Sequence, residues 1–367
     1  MDMMKTNVSI VNVTSYTGLE LLRLLAQHPQ CMVQSVTARS AVGKRLDEVF
    51  PQLQMMSKNM EDRQHRSVDP ALVITEEPAQ TDLAFVCLPH AAAAQSVLTL
   101  LERGTKVIDL SADFRLRDAA IYEEWYRHTH PAAAMLETAV YGLCERYRQR
   151  IEGATLVANP GCYATAAILG LMPAMAAGMI DRNIIIDAKS GVSGAGRSPT
   201  PGTHFAEVNE DVSAYSLSGH RHLPEISQEL EAAALAGGHP VGGPLRLTFI
   251  PHLVPMTRGI LATCYADLKQ DASQRVVTMA ELRSLYEEYY ANEPFVRVVD
   301  QPPHTKWTYG SNSCFIYPMV DTRTRRLLVI SCLDNLVKGA AGQAIQNANR
   351  LYGLPETTGL PVMSLYP

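Results

Sequence analysis

The sequence has 367 residues, of which 47% are hydrophobic and 19% are charged. That length allows about two domains with a sizeable core, and the composition is that of a folded protein rather than a disordered one. The net charge is -5, and lysine and arginine are scattered along the chain, so nothing in the sequence indicates a nucleic-acid partner.

The seven cysteines indicate a reducing compartment. They form no C-x-x-C pair and no Cys/His spacing of the zinc type, so we predict neither a disulfide framework nor a metal site. No long apolar signal core precedes the first predicted strand. The most apolar long stretch, 166–180, is too short to span a bilayer and is interrupted by glycine and proline. We therefore predict a cytoplasmic protein without a membrane partner.

The N-terminal region has the pattern of a dinucleotide-binding fold. A β-branched run, 8–13, precedes a turn and then leucines spaced for a buried helix, 19–25. The turn retains a single glycine, although a phosphate-binding loop usually has several, so a plain strand-to-helix turn remains an alternative. A left-handed Asn12 and the nearby hydroxyls favour the cofactor interpretation. The candidate cofactor-binding residues here are Thr14, Ser15, Tyr16, Thr17 and Gly18.

A second predicted strand, 33–38, ends at Arg39 and Ser40, about 20 residues beyond the turn, where this type of fold meets the adenosine ribose. An acidic residue there would indicate NAD. Arginine instead suits the additional phosphate of NADP, which guanidinium binds through two hydrogen bonds. A solvated surface arginine is the alternative, and the position of Arg39 favours a role in NADP binding.

Further strands, 82–88 and 106–110, alternate with a helix, which predicts a parallel sheet with ligands at the carboxyl ends of its strands. Pro89 and the stretch 111–115 follow those ends. Arg115 is a candidate anion clamp, although Asp113 could instead pair with it. The segment 51–81 yields no prediction.

Cys162 is the candidate nucleophile. A Pro-Gly turn ends an apolar run, 156–158, and the residues 162–172 are rich in helix formers, so the cysteine begins a helix. The N–H groups and the dipole at a helix start favour an anion, and hence a thiolate. The alternative is that Cys162 is simply a small buried hydrophobic residue.

The second half predicts a mixed α+β domain that ends in a helix returning to the first domain. A strand, 184–187, leads into a glycine-rich stretch, 190–197, and the prolines that follow favour a ligand-wrapping loop over a helix. His220 and His222 flank an arginine at a helix start with Glu225 three residues beyond, which favours a general base and a group that orients it. Arg258, between two predicted strands, is a second candidate anion clamp.

Ten stretches together resemble one family, the N-acetyl-gamma-glutamyl-phosphate reductases, which are related in fold to aspartate-semialdehyde dehydrogenase. They run in family order over nearly the whole chain: YTGLEL from Tyr16, DLSADFR from Asp109, YGL from Tyr141, NPGCYAT from Asn159, SGVSGAGR from Ser190, EVNE from Glu207, HRHLPE from His220, PHL from Pro251, RG from Arg258 and DNLVKGAA from Asp334.

The resemblance implies an α/β protein of the glyceraldehyde-3-phosphate/aspartate-semialdehyde dehydrogenase type. Its Rossmann-like NADP-binding domain would comprise 1–161 plus 334–367, and its catalytic and dimerisation domain 162–333. It also implies a homodimer or homotetramer that uses NADPH to reduce N-acetyl-gamma-glutamyl phosphate in arginine biosynthesis.

The resemblance also assigns roles to residues. Cys162 would form a thioester with the acyl group, and His222, oriented by Glu225, would be the acid/base, with His220 as the competing candidate. Ser111, Arg115, Asn159 and Arg258 would bind the substrate. Pro89, Ser190, Gly191 and Asn335 would join the cofactor site.

Two alternatives remain open. The same chemistry could act on an aminoadipyl or carrier-protein-bound acyl phosphate, as in lysine-type pathways. A catalytically silent dinucleotide-binding protein is the other, because Asn12 and Ser15 replace glycines of the family, and a side chain at position 15 is expected to crowd the pyrophosphate. Cys144 also departs from the family pattern, which has proline there.

Overall fold

The computed structural model describes residues 5–57, 67–240, 242–269 and 277–366. The chain forms two compact units. The first comprises Met1–Pro160 with Ala340–Leu360, and the second comprises Gly161–Gly339 with Pro361–Pro367. Within the described ranges, every helix is too short or too polar to cross a membrane.

The first unit is built on a parallel sheet. Six strands of the described residues form it: β1 (Thr6–Val11), β2 (Cys31–Thr37), β3 (Leu83–Val86), β4 (Lys106–Asp109), β5 (Val140–Tyr141) and β6 (Leu156–Ala158). Their order is β2-β1-β3-β4-β6-β5, and every neighbouring pair is parallel. The predicted parallel sheet is therefore confirmed, and its carboxyl edge gathers the ends of β1, β3 and β4.

Helices connect the strands of this sheet. They are α1 (Tyr16–Leu25), α2 (Leu46–Val49), α3 (Gln54–Ser57), α4 (Ala94–Glu102), α5 (Ala119–Tyr126) and α6 (Cys144–Glu152). In β3, all four side chains are buried, because helices cover both faces of a parallel sheet. In α1, four of the leucines predicted to face a core are buried, Leu19 is partly buried, and Arg23 is exposed.

The second unit contains a mixed sheet. Its strands are β7 (Ile180–Gly191), β8 (Ser213–Ala214), β9 (Arg246–Val254), β10 (Ile260–Leu268), β11 (Val296–Val298), β12 (Cys314–Asp321) and β13 (Arg326–Leu333). The order of these described strands is β11-β12-β13-β10-β7-β9-β8, with parallel pairs only at β11–β12 and β7–β9. The predicted α+β character of this half is confirmed.

The helices of the second unit are α7 (Cys162–Ala176), α8 (Phe205–Val208), α9 (His222–Ala236) and α10 (Met279–Tyr289). Helix α7 packs on β10 and β13, and α9 packs on α7. In the central strands, alternate side chains such as Ile186 and Cys264 are fully buried on this helix-covered face. Intervening apolar side chains, such as Ile185 and Tyr265, remain partly or largely exposed on the other face.

A final helix, α11 (Gly342–Leu351), belongs to the first unit, where it lies against α1 and α6. The unit boundaries differ from the predicted ones because the stretch before α11 and the last residues of the chain join the second unit. Asp334 accepts a hydrogen bond from the backbone of Gly310, and the backbone N–H of Leu365 donates to Tyr309. Contacts of this kind hold 334–339 and 361–366 there.

Candidate functional site

The turn between β1 and α1 is shaped by side chains of its own. Asn12 has a left-handed φ of 66°, as predicted, and its Nδ2 donates to the carbonyl of Cys87 at the end of β3. Ser15 is the N-cap of α1: its Oγ accepts from the N–H of Gly18 and donates to the carbonyl of Asn12. The Ser15 hydroxyl is thus engaged within the turn, and crowding of a pyrophosphate by this side chain stays a prediction.

Position 18 requires glycine because the backbone of the turn lies very close to it. A Cβ at this position would lie 2.7 Å from both the carbonyl oxygen of Asn12 and the Cα of Val13. Real Cβ atoms essentially never come this close to backbone atoms, so only glycine fits without moving the turn. The single glycine of the motif therefore sets how α1 leaves the sheet.

A cavity of about 520 Å³ opens at the carboxyl edge of the parallel sheet, next to this turn. Four of the predicted cofactor-binding residues line it: Thr14, Arg39, Ser40 and Pro89. Ser15, Tyr16, Thr17 and Gly18 form the adjoining turn and first turn of α1. A large cavity beside a helix N-terminus, with an exposed guanidinium at its border, fits a dinucleotide that carries an additional phosphate.

Sequence reasoning missed other residues of this cavity. Glu76 and Glu77 line it because the backbone at Thr75 pairs with β2, which carries the following residues past the end of that strand. Arg103, directly after α4, lines it as well. The irregular segment 51–81 gave no periodic signal that could have placed the two glutamates there.

Ser111, Arg115 and Asn159, predicted to bind substrate, form a buried network in the first unit. Ser111 donates to the carboxylate of Asp109 (2.7 Å), and Arg115 Nε donates to the carbonyl of Asn159 (2.8 Å). Arg115 Nη2 donates to the carbonyl of Leu110. Burial raises the pKa of Asp109 to about 7, which its hydrogen bonds with Ser111 oppose. These contacts are internal, so a direct role in substrate binding stays a prediction.

The carboxylate of Asp113 is held by several hydrogen bonds. Its carboxylate accepts three backbone N–H groups, from Ala91, Ala93 and Ala94, and the hydroxyl of Tyr122. Pairing of Arg115 with Asp113, the alternative to an anion clamp, stays a prediction.

Cys162 begins helix α7, as predicted. All seven cysteines lie within the described ranges, and Cys162 is the one that is not buried. Burial raises the pKa of Cys31, Cys87, Cys264 and Cys332 to about 12. Cys162 is thus the least buried of the seven cysteines.

Two glycines frame Cys162. Gly161 is the N-cap of α7, and a Cβ on it would lie 2.4 Å from Nε2 of His222. A Cβ on Gly339 would lie 2.8 Å from the Cβ of Cys162. The imidazole of His222 therefore rests directly on the residue before Cys162, while Gly339 packs against the cysteine itself.

The two histidines have different environments. His220 Nδ1 accepts the backbone N–H of His222, and the rings lie 4.7 Å apart. Burial, together with the charges of His222 and Arg221, lowers the pKa of His220 to about 3. The arrangement favours His222 as the acid/base over His220, because His222 packs on Gly161 and His220 is held neutral.

Glu225 lies in the first turn of α9 and is almost fully buried. Its Oε1 accepts the backbone N–H of Gly161 at 2.8 Å. The carboxylate therefore holds the backbone just before Cys162, and its predicted role of orienting His222 stays a prediction.

The glycine-rich stretch and the β9–β10 connection are tied together. A short 3-10 turn, Val192–Ala195, follows β7, and no α-helix forms there, as the prolines predict. A Cβ on Gly191 would lie 2.7 Å from the backbone nitrogen of Arg258. Asn335 Oδ1 accepts from the N–H of Gly259, and its Nδ2 donates to Ser193 Oγ.

The structure thus brings together Ser190, Gly191, Arg258 and Asn335, which the sequence predicts to serve substrate and cofactor. Ser190 and Asn335 are buried, and the guanidinium of Arg258 lies 3.8 Å from the carboxylate of Asp334. Their individual roles stay predictions. Sequence reasoning missed Tyr163 and Tyr215, whose hydroxyls are hydrogen-bonded to each other.

Comparison with known proteins agrees with this architecture. Residues 7–154 match the family described as semialdehyde dehydrogenase, NAD binding domain, and residues 162–335 match semialdehyde dehydrogenase, dimerisation domain. Among solved structures, aspartate semialdehyde dehydrogenase II from Vibrio cholerae is similar with a TM-score of 0.66 and 15% identity, covering 95% of this chain and 99% of that one. Aspartate semialdehyde dehydrogenase with NADP from Candida albicans is similar with a TM-score of 0.63 and 15% identity, covering 95% and 98%. These likenesses show the fold.

Curated relatives are much more similar in sequence. An N-acetyl-gamma-glutamyl-phosphate reductase from Dehalococcoides mccartyi is 53% identical over 367 residues, covering all of both chains. One of the same name from Symbiobacterium thermophilum is 51% identical and covers 97% of this chain and 98% of its own. By this full-length similarity, the chain belongs to the N-acetyl-gamma-glutamyl-phosphate reductase family of semialdehyde dehydrogenases.

Proposed function

We propose that this protein reduces N-acetyl-gamma-glutamyl phosphate to N-acetyl-glutamate 5-semialdehyde, with NADPH as reductant and release of phosphate, in arginine biosynthesis. The observation that carries the proposal is the accessible Cys162 at the start of α7, with the His222 ring packed on the preceding residue. Full-length relatives with that name support the substrate.

The first step is acyl transfer to Cys162. Its sulfur attacks the acyl carbon, a carbon–sulfur bond forms, and the carbon–oxygen bond to phosphate breaks, so that phosphate leaves with the electron pair. Gly161, the N-cap, has no side chain to occupy the first-turn N–H groups of α7. The positive end of the helix can therefore stabilise the negative charge that develops on the acyl oxygen.

His222 accepts the proton of the Cys162 thiol and later returns it. Its ring takes the proton from the Cys162 thiol before attack, and when the carbon–sulfur bond breaks and the aldehyde leaves, the imidazolium returns that proton to the sulfur. Glu225 keeps the backbone at Gly161 in place, so that the cysteine and the imidazole hold a constant separation.

The first unit holds the cofactor. Arg39 and Ser40, at the border of the 520 Å³ cavity, would bind the additional phosphate of NADP, and the turn at Thr14 and Ser15 would meet the pyrophosphate. Bound NADPH supplies the hydride that takes the thioester to the aldehyde level. Ser190, Gly191 and Asn335 would border the nicotinamide, and Arg258 the anionic groups of the substrate.

The protein acts as a homodimer or homotetramer in the cytoplasm. The match to a dimerisation domain and the partly exposed apolar face of the mixed sheet, which includes Ile185 and Tyr265, support self-association. The seven free cysteines support a reducing compartment.

The test is the reverse reaction: phosphate-dependent reduction of NADP+ with N-acetyl-glutamate 5-semialdehyde. We expect activity in the wild type, none in Cys162→Ser, and retained activity in Cys264→Ala, which changes a buried cysteine instead. Equal rates for the wild type and Cys162→Ser would exclude the covalent mechanism. Activity only with the longer aminoadipate semialdehyde would replace the substrate, and no rate with either would favour a silent binding protein.

A further inference from the structure

His220 sits in an aromatic cage in the second unit. The centroid of its ring lies 5.2 Å from that of Phe249, 5.7 Å from that of Tyr215 and 5.8 Å from that of Tyr163. All three contacts are edge-on, which places ring edges against ring faces, as aromatic pairs prefer. The imidazole is therefore fixed from three sides.

The cage is itself pinned to the mixed sheet. The hydroxyl of Tyr163 donates to the carbonyl of His252, and the hydroxyl of Tyr215 donates to that of Tyr163. The backbone N–H of Tyr215 donates to Pro251 on β9. Strands β8 and β9 thus hold the tyrosine that closes the cage.

The caged imidazole holds the start of α9. Because Nδ1 of His220 accepts the backbone N–H of His222, the neutral ring carries its proton on Nε2. Protonation of Nδ1 would break this bond. Burial is the main cause of the low pKa of His220. The charges of His222 and Arg221 lower this pKa further, and the charge of Glu225 opposes them. Nδ1 of His220 therefore stays available as an acceptor at neutral pH.

We propose that His220 is a positioning residue: its caged, neutral imidazole fixes the backbone of His222 so that the His222 ring stays on Gly161, beside Cys162. The inference rests on the proposed function in taking His222 as the acid/base. On sequence alone, either histidine is a candidate for the proton transfer. We assign the proton transfer to His222 and a structural hydrogen bond to His220.

Two substitutions of His220 separate the hydrogen bond from the ring. Asparagine has an oxygen that accepts a backbone N–H two residues along the chain, so His220→Asn keeps the acceptor. His220→Phe keeps an aromatic ring in the cage and removes the acceptor. His222→Asn removes the acid/base and serves as the reference for its loss.

We expect kcat of His220→Asn to stay within about threefold of the wild type, because positioning survives. For His220→Phe, kcat falls by at least about tenfold with KM little changed, and for His222→Asn by about 100-fold or more. The proposal is overturned if His220→Asn loses as much as His222→Asn, since His220 would then carry the proton. Wild-type kcat in His220→Phe overturns it as well, and thermal melting of every variant checks that it folds.

A second readout does not need the substrate. The rate of Cys162 alkylation by iodoacetamide, measured from pH 5 to 9 by peptide mass spectrometry, reports how the neighbouring imidazole affects the thiol. The profile of His220→Asn should follow the wild type, and that of His220→Phe should shift toward His222→Asn. If the proposed substrate is wrong, turnover is absent in all four proteins, but the alkylation profile of His220→Asn still follows the wild type and that of His220→Phe still shifts toward His222→Asn. If instead the profile of His220→Phe follows the wild type and that of His220→Asn shifts toward His222→Asn, the positioning role alone is overturned.

Discussion

Replacing Gly161 with alanine should displace the catalytic imidazole by a predictable amount. The added Cβ would lie 2.4 Å from Nε2 of His222, whereas ordinary van der Waals contact begins at 3.4 Å. The ring must therefore retreat by about 1 Å, and a misplacement of that size costs about 100-fold in rate. The backbone at Gly161, with φ −70° and ψ 150°, admits alanine without strain, so the effect comes from the contact with His222.

The assay is kcat for phosphate-dependent NADP+ reduction, with NADPH affinity and thermal stability measured in parallel. We expect kcat of Gly161→Ala to fall by about 100-fold while NADPH binding is retained. Loss of glycine at the N-cap should also lower the free energy of unfolding by about 1 kcal/mol. Gly153→Ala is the matched control, because a Cβ there meets nothing within 4 Å. A wild-type kcat in Gly161→Ala would refute the placement of His222 against the nucleophile's neighbour.

Three further predictions concern the first unit. Gly18→Ala should weaken NADPH binding at least about tenfold by fluorescence titration, because its Cβ would lie 2.7 Å from the backbone of Asn12; an unchanged Kd would count against the turn as the cofactor site. Arg39→Ala should weaken NADPH binding about 10-fold or more and leave NADH binding unchanged, since only NADPH has the additional phosphate; an equal loss for both would contradict this. Burial raises the pKa of Asp109 from 3.8 to about 7, so the folded state keeps a proton that the unfolded state releases, and this contribution to stability is lost as pH rises from about 4 to 7. Asp109→Asn should flatten that dependence in urea unfolding at pH 5 and 8; the same slope in both proteins would show that another group titrates.

The parallel sheet could be predicted from sequence because its strands are short, almost wholly apolar runs, such as Leu83–Val86, bounded by turns. The start of α7 could be predicted because Pro-Gly precedes a run of helix formers. Both signals are local. Glu76 and Glu77, which line the same cavity as Arg39, could not be predicted, because an irregular segment brings them there through a single backbone pairing at Thr75.

The sequence predicts which residues form the candidate site but not how they are positioned relative to one another. Spacing placed His220 and His222 on one motif without distinguishing them; their difference arises from Phe249 and Tyr215, which come from other parts of the chain. Likewise, the spacing predicts Glu225 as an orienting group for a histidine but does not predict its hydrogen bond to Gly161, which depends on how α9 packs beside α7. Long-range packing decides such contacts, and a single sequence contains no direct signal for it.

The most direct test of the central claim is to trap the acyl group on the enzyme. Full-length protein is incubated with N-acetyl-gamma-glutamyl phosphate in the absence of NADPH, quenched in acid and digested, and the cysteine peptides are weighed by mass spectrometry. We predict an N-acetylglutamyl adduct on the Cys162 peptide, absent in Cys162→Ser and discharged when NADPH is added before the quench. Phosphate release without this adduct, or an adduct on a different cysteine, would contradict the account.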